Sequence, residues 1–116
     1  MRYRKLKLQD LLKEEISLII QRDIKDPGIG FITILDVKMT EDLKHAKVLY
    51  SIYGSDEEKK KTEQALKRAK GYIKALLGER LKLRYMPDIT FVVDDYYDNI
   101  ARIEEILKKG TNDRED

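Results

Sequence analysis

The chain contains no cysteine. That excludes disulfides, thiolate metal sites and a cysteine nucleophile. It has one histidine, His45, and no tryptophan. A lone imidazole at a strand start cannot assemble the usual metal or nucleophile constellation, and its expected role is structural. There is no phosphate-cradling glycine loop and no zinc spacing. No apolar run is long enough to cross a bilayer. The start, MRYRKLKLQD, is basic but is followed by no apolar block, so it does not read as a secretory signal. No cofactor, no membrane and a cytoplasmic monomer are therefore expected, although lack of cysteine alone would also fit export. Few Asn and Gln beside many Glu, Lys and Arg fit a heat-adapted source.

With 116 residues, 41% hydrophobic and 40% charged, the chain fits one domain around one core. The formal net charge of +2 hides an uneven distribution. Residues 55–84 carry ten basic and five acidic groups, whereas residues 85–116 carry four basic and nine acidic. A local basic field can hold a polyanion on a nearly neutral molecule. The plainer alternative is a solvated helix face of mixed charge.

Residues 5–25 read as a helix, with Leu8, Leu11, Leu12, Ile16, Ile19, Ile20 and Ile24 on one stripe. Asp26-Pro27-Gly28 ends it. Phe31 to Met39 and His45 to Tyr53 read as strands joined by a turn at Thr40-Glu41-Asp42-Leu43, hence an antiparallel hairpin. After Gly54, Ser55 caps a helix, and Glu58 completes a capping box. Ile89 to Val93, short and apolar, is expected to be central or buried on both faces. Asp94-Asp95 read as the start of a last helix rather than as an acid–base pair. That helix carries Ile100, Ile103, Ile106 and Leu107 and stops at Gly110. Residues 1–110 form the expected domain, and residues 111–116 an expected mobile tail.

The stretch from Ser55 to Arg84 organises the rest. Ala65, Leu66, Ala69, Ile73, Leu76, Leu77 and Leu81 recur at helical spacing, and lysines and arginines fill the other positions. Gly71 lies in the middle. A helical glycine costs roughly 1 kcal/mol relative to alanine, so a bend at Ala69-Lys70-Gly71 between two helical segments is expected, open to close approach of a partner. The fold class is α+β: a three-stranded mixed sheet with helices on one face. The order α-β-β-α-kink-α-β, with a C-terminal helix, is that of a type II KH domain. KH domains grip single-stranded nucleic acid with a GXXG loop. No GXXG occurs here.

Several stretches resemble the ribosome-binding factor A family: Asp26-Pro27-Gly28-Ile29-Gly30-Phe31, Thr40-Glu41-Asp42-Leu43-Lys44-His45-Ala46-Lys47-Val48, Ala69-Lys70-Gly71, Pro87-Asp88-Ile89-Thr90-Phe91 with Asp94, and Arg102-Ile103 with Ile106-Leu107. The hairpin motif is the most specific. Asp95-Tyr96-Tyr97 departs from the small hydroxylated residue usual after Asp94, and the tail is short. The resemblance implies a non-enzymatic factor that binds the free 30S small subunit and its 16S rRNA. It implies help with late maturation and 5′-end processing, with particular importance in the cold. A general KH-type RNA chaperone and a protein-interaction domain with a charged helix are the rival readings.

The candidate RNA contacts are Lys67, Arg68, Lys70, Gly71, Lys74, Arg80 and Lys82, with the kink at Ala69, Lys70 and Gly71. Arg68 has a planar fork that can grip a phosphate or stack on a base. Arg2, Arg4, Lys5 and Lys7 form a second cluster, equally readable as a solvated terminus, and Lys44, His45 and Lys47 could extend the surface. Among Tyr50, Tyr53, Tyr72 and Tyr85, burial is expected for most, with Tyr72 the best stacking platform.

Overall fold

The computed structural model describes residues 2–94 and 106–108. The elements are α1 (Arg2–Arg22), β1 (Phe31–Met39), β2 (His45–Tyr53), α2 (Asp56–Leu81) and β3 (Asp88–Val93). The last helix expected from Ile100 and Ile103 to Gly110, and the tail 111–116, lie outside the described residues, apart from 106–108, which are helical.

β1 and β2 pair antiparallel and β3 joins β2 in parallel, giving the order β1-β2-β3. The sheet is mixed, as the pattern predicts. The position of β3 is not: it is an edge strand, and β2 is central. Its apolar run is explained by one-sided cover, because Ile89 is fully buried while Phe91, Val92 and Val93 are only half-covered. In β2 the buried residues Ala46, Val48, Tyr50 and Ile52 alternate with outward ones, the signature of a sheet with one packed face. β1 carries a register shift between Ile34 and Asp36. The extra residue flips the alternation, so that Ile34 points inward before the shift and Val37 and Met39 point inward after it.

α1 contributes Leu12, Ile16, Ile19 and Ile20 to the core and α2 contributes Leu66, Ile73 and Leu77, all against the inner face of the sheet. Burying each such side chain contributes about 1.5–3 kcal/mol, so these seven residues and the inner sheet positions set the stability of the domain. Leu11, assigned to the buried stripe by its spacing, is 40% exposed.

α2 starts as its sequence dictates. The Ser55 side chain accepts a hydrogen bond from the Glu58 amide, and the Glu58 carboxylate accepts one from the Ser55 amide. The helix then runs without interruption through Gly71 and Gly78 to Leu81. The two helical segments expected on either side of Ala69, Lys70 and Gly71 form one continuous helix. Gly71 does not leave the helical region, because the buried residues on either side of it, Leu66 and Ile73, lie on one continuous apolar face. Packing of that face outweighs a propensity penalty of about 1 kcal/mol. The helix ends at Lys82 in left-handed backbone, φ 49°, its amide donating to the Gly78 carbonyl.

The link between α1 and β1 is bound onto α2. The buried Thr62 hydroxyl accepts from the Gly30 amide at 3.2 Å and lies within donating distance of the carbonyls of Glu58 and Gly28. A Cβ at Gly28 would stand 3.1 Å from the Asp26 Oδ1 and 3.4 Å from the Ala65 Cβ. Glycine there lets the Asp-Pro-Gly link press against the helix.

Candidate nucleic-acid interface

The long helix sorts its cations by face. Lys67, Gly71, Lys74 and Gly78 step along α2 at intervals of four, three and four residues, so they share one stripe outside the buried one, on the flank toward β3. Lys60 lies on the same line one heptad earlier. Nothing stands within 4 Å of a Cβ built on Gly71 or on Gly78. The stripe is therefore a backbone-level strip of helix bordered by ammonium groups. Among the described residues, Lys60 and Lys67 form no ion pair. Lys70 and Lys74 reach Asp88 only loosely, at 3.9 and 3.7 Å. Lys82 is exposed at the helix end.

The two arginines assigned to RNA lie elsewhere. The Arg68 guanidinium grips Asp26 through Nη2 at 3.0 and 3.2 Å and through Nε at 3.3 Å. Arg80 donates to Asp23 at 2.7 Å, with Glu15 at 3.8 Å. Both forks therefore tie α2 to α1 or to the link that follows it. The Asp26 carboxyl is held below the usual carboxylate range, chiefly by the Gly28 amide; partial desolvation opposes this, and Arg68 adds to it. Sequence reasoning put Arg68 on phosphate because a fork next to a lysine run looks like a polyanion grip. Its partner stands 42 residues away in sequence, a separation that periodicity cannot reveal.

The tyrosines also depart from expectation. Among Tyr50, Tyr53, Tyr72 and Tyr85, Tyr50 alone is buried; its ring meets Phe91 edge-on, and burial, with Glu63 adding, pushes its hydroxyl up to about 12. Tyr53, Tyr72 and Tyr85 are exposed. Tyr53 stands opposite Phe31 on the uncovered sheet face. His45 is exposed, and its backbone closes the hairpin: its amide donates to the Thr40 hydroxyl, and its carbonyl accepts from the Thr40 amide. Of the second basic cluster, Lys5 is tied down, whereas Arg4 and Lys7 are exposed. Lys5 pairs with Glu41 of the hairpin turn, and the buried Gln9 accepts from the Met39 amide at 2.9 Å, so the start of α1 is seated beside the turn.

This fold and this sequence have relatives. The family described as ribosome-binding factor A matches residues 4–107. Ribosome-binding factor A of Halothermothrix orenii is 50% identical over 98% of this chain and 93% of its own length. That of Dictyoglomus thermophilum is 46% identical over 100% and 98%. Among solved structures, the crystal structure of ribosome-binding factor A from Thermus thermophilus superposes with a TM-score of 0.66 at 26% identity, covering 77% of this chain and 94% of that one. A homology model of the Thermus thermophilus factor, fitted into a cryo-electron-microscopy map of its complex with the 30S subunit, gives 0.64 at 25% identity, covering 76% and 92%. With the family pattern spanning nearly its whole length, the chain belongs to the ribosome-binding factor A family.

Proposed function

We propose that this protein binds the free 30S subunit through its 16S rRNA, using the open stripe of α2, and that it assists late maturation of the subunit without catalysing a reaction. The observation that carries this reading is the pairing of Lys67 and Lys74 with Gly71 and Gly78 on one unobstructed helix face. Lysine supplies mobile point charge for phosphate, and glycine removes the side chains that would hold a nucleic-acid backbone away. Lys70 and Lys82 flank the stripe, whereas Arg68 and Arg80 join the contact only by exchanging their carboxylates for phosphate. A relative of the same fold has been fitted to a 30S complex, which agrees in partner. Work at the 16S 5′ end, a heightened need in the cold, and a cytoplasmic site of action belong to the same proposal, with residues 1–110 sufficient and residues 111–116 dispensable for subunit binding.

The test is the double variant Lys67→Glu with Lys74→Glu, assayed by co-sedimentation with purified free 30S subunits. Both residues lie outside the buried core, so thermal stability should stay near that of the parent. Affinity should fall at least tenfold, and the dependence of log K on log salt should flatten by roughly 1.5–2, as expected for two lost phosphate contacts. The same loss on protein-free 16S rRNA identifies RNA as the partner. Unchanged sedimentation with subunits refutes the stripe as the contact, and loss confined to intact subunits favours a protein partner.

A further inference from the structure

A second concave surface lies at the other end of the domain, where three segments distant in sequence meet: the first turns of α1, the β1–β2 turn, and the link from α2 to β3. It is a groove of about 650 Å³, within the roughly 300–1,000 Å³ usual for small-ligand sites. Its rim holds Arg4, Lys7, Lys44 and Arg84. None of these four forms an ion pair among the described residues. One carboxylate shares the wall, Asp42, and its oxygen is taken up by the Thr40 hydroxyl at 2.6 Å and the Lys44 amide at 3.0 Å. The floor is apolar, built from Leu8, Leu11, Leu43 and Met86. This explains why Leu11 is 40% exposed although its spacing assigns it to the core. Tyr85 stands at the lip, 78% exposed, with the Arg84 guanidinium over its ring at 5.5 Å from the centroid.

The hairpin turn is built to hold this floor. Leu43 has φ 62°, left-handed backbone that a leucine rarely adopts. Its amide donates to the Thr40 carbonyl, and the Thr40 and Asp42 side chains tie down the neighbouring amides. Strained backbone persists where the surroundings over-determine it, and such positions cluster at ligand sites. The Asp88 amide donates to the Lys44 carbonyl at 2.8 Å, and Lys5 pairs with Glu41, so the three walls are fixed to one another before any ligand arrives.

We infer that this groove takes an unpaired ribonucleotide, its base lying on the apolar floor against Tyr85 and its flanking phosphates held by Arg4, Lys7, Lys44 and Arg84. The inference rests on RNA as the partner class but on a surface separate from α2. A flat arginine-backed aromatic beside an apolar floor suits the face of a base, and cations around it suit the backbone. An acidic peptide would use the cations and leave the floor empty. Paired bases have no free face to offer. The site would let the domain hold a looped-out or terminal nucleotide while α2 follows a phosphate track.

The test uses the purified protein and a six-nucleotide single-stranded RNA carrying 4-thiouridine. Photocrosslinks should map to Tyr85, Met86 or Leu43. Tyr85→Ala should weaken binding of the hexamer about tenfold and Arg84→Glu at least as much, with unchanged melting temperatures because both side chains are exposed. The Lys67→Glu, Lys74→Glu variant should keep hexamer affinity within about twofold while losing the subunit. A hexamer that follows α2 and ignores Tyr85 overturns the groove and leaves the α2 reading standing. Equal competition by hexaglutamate, or equal binding of a six-base-pair RNA duplex, overturns the unpaired base as the occupant.

Discussion

Gly71 separates a bent helix from a smooth one. Residue 71 is helical, its φ lies outside the left-handed region, and a Cβ added there meets no atom within 4 Å. Alanine at this position should therefore gain the full propensity difference of about 1 kcal/mol. For a domain of this size that raises the melting temperature by roughly 3–6 °C. Leucine, also a good helix former, should keep most of the gain and project its side chain from the stripe between Lys67 and Lys74. If phosphate lies against the backbone there, Gly71→Leu should bind free 30S subunits more weakly by about fivefold or more, since overfilling a fitted contact costs about 1–3 kcal/mol; Gly71→Ala should fall between. Calorimetry and co-sedimentation of both variants give the two readouts. Leucine that binds like the parent refutes the stripe as the interface. Alanine that lowers the melting temperature refutes the unstrained helix and restores a functional bend.

Ser55→Ala removes the side-chain half of the α2 capping box and should lower stability by about 1 kcal/mol in denaturant titration; an unchanged midpoint would mean that the box contributes nothing net. Asp26→Asn tests the clamp on Arg68. The Asp26 carboxyl is depressed below its ordinary 3.8, so its stabilisation is present above that value and is lost as pH falls through the lower folded-state value. The melting temperatures of parent and variant should differ at neutral pH and draw together as pH falls below the ordinary carboxylate value; a constant gap would sink the assignment. Tyr50, with its hydroxyl pushed from 10.0 to about 12, is stabilising below pH 10 and loses that contribution as pH rises toward 12. Tyr50→Phe should be more resistant to alkaline unfolding than the parent, and equal sensitivity would exclude Tyr50 as the cause.

Elements whose signals are local were readable from the sequence. The bounds of β1 follow from β-branched content and flanking turns, those of β2 from alternation, and the start of α2 from a serine with a glutamate three residues on. What sequence misjudged depends on partners far along the chain. The place of β3 at the sheet edge is a matter of pairing with β2, which composition does not encode. The uninterrupted α2 reflects packing of Leu66 and Ile73 on one core, which outweighs a local glycine penalty. Arg68 and Arg80 looked free because Glu15 lies in α1 and Asp23 and Asp26 in the link after it, folded back from the other end. The charged start of α1 reads equally as a second contact surface and as a solvated terminus, because its neighbours, Glu41 and Arg84, come from a turn and a link that only the tertiary fold brings near.

On α2 these long-range pairings divide the basic residues by chemistry. Arginine, with a planar fork that holds a carboxylate through two nitrogens, is used where α2 must be fixed to α1 and its following link. Lysine, with a mobile point charge, lines the open stripe proposed to meet phosphates at varied positions. Fixing the helix with arginine holds the lysine stripe and the groove at Tyr85 in one rigid frame, since α2 leads through Lys82 directly into the link that forms the groove wall. If both surfaces hold one RNA, the second encounter is intramolecular, so free-subunit affinity should fall when either surface is altered. Unclamping with Asp26→Asn should then weaken subunit binding more than hexamer binding. Equal loss on both probes would mean that the two surfaces do not act on a single RNA.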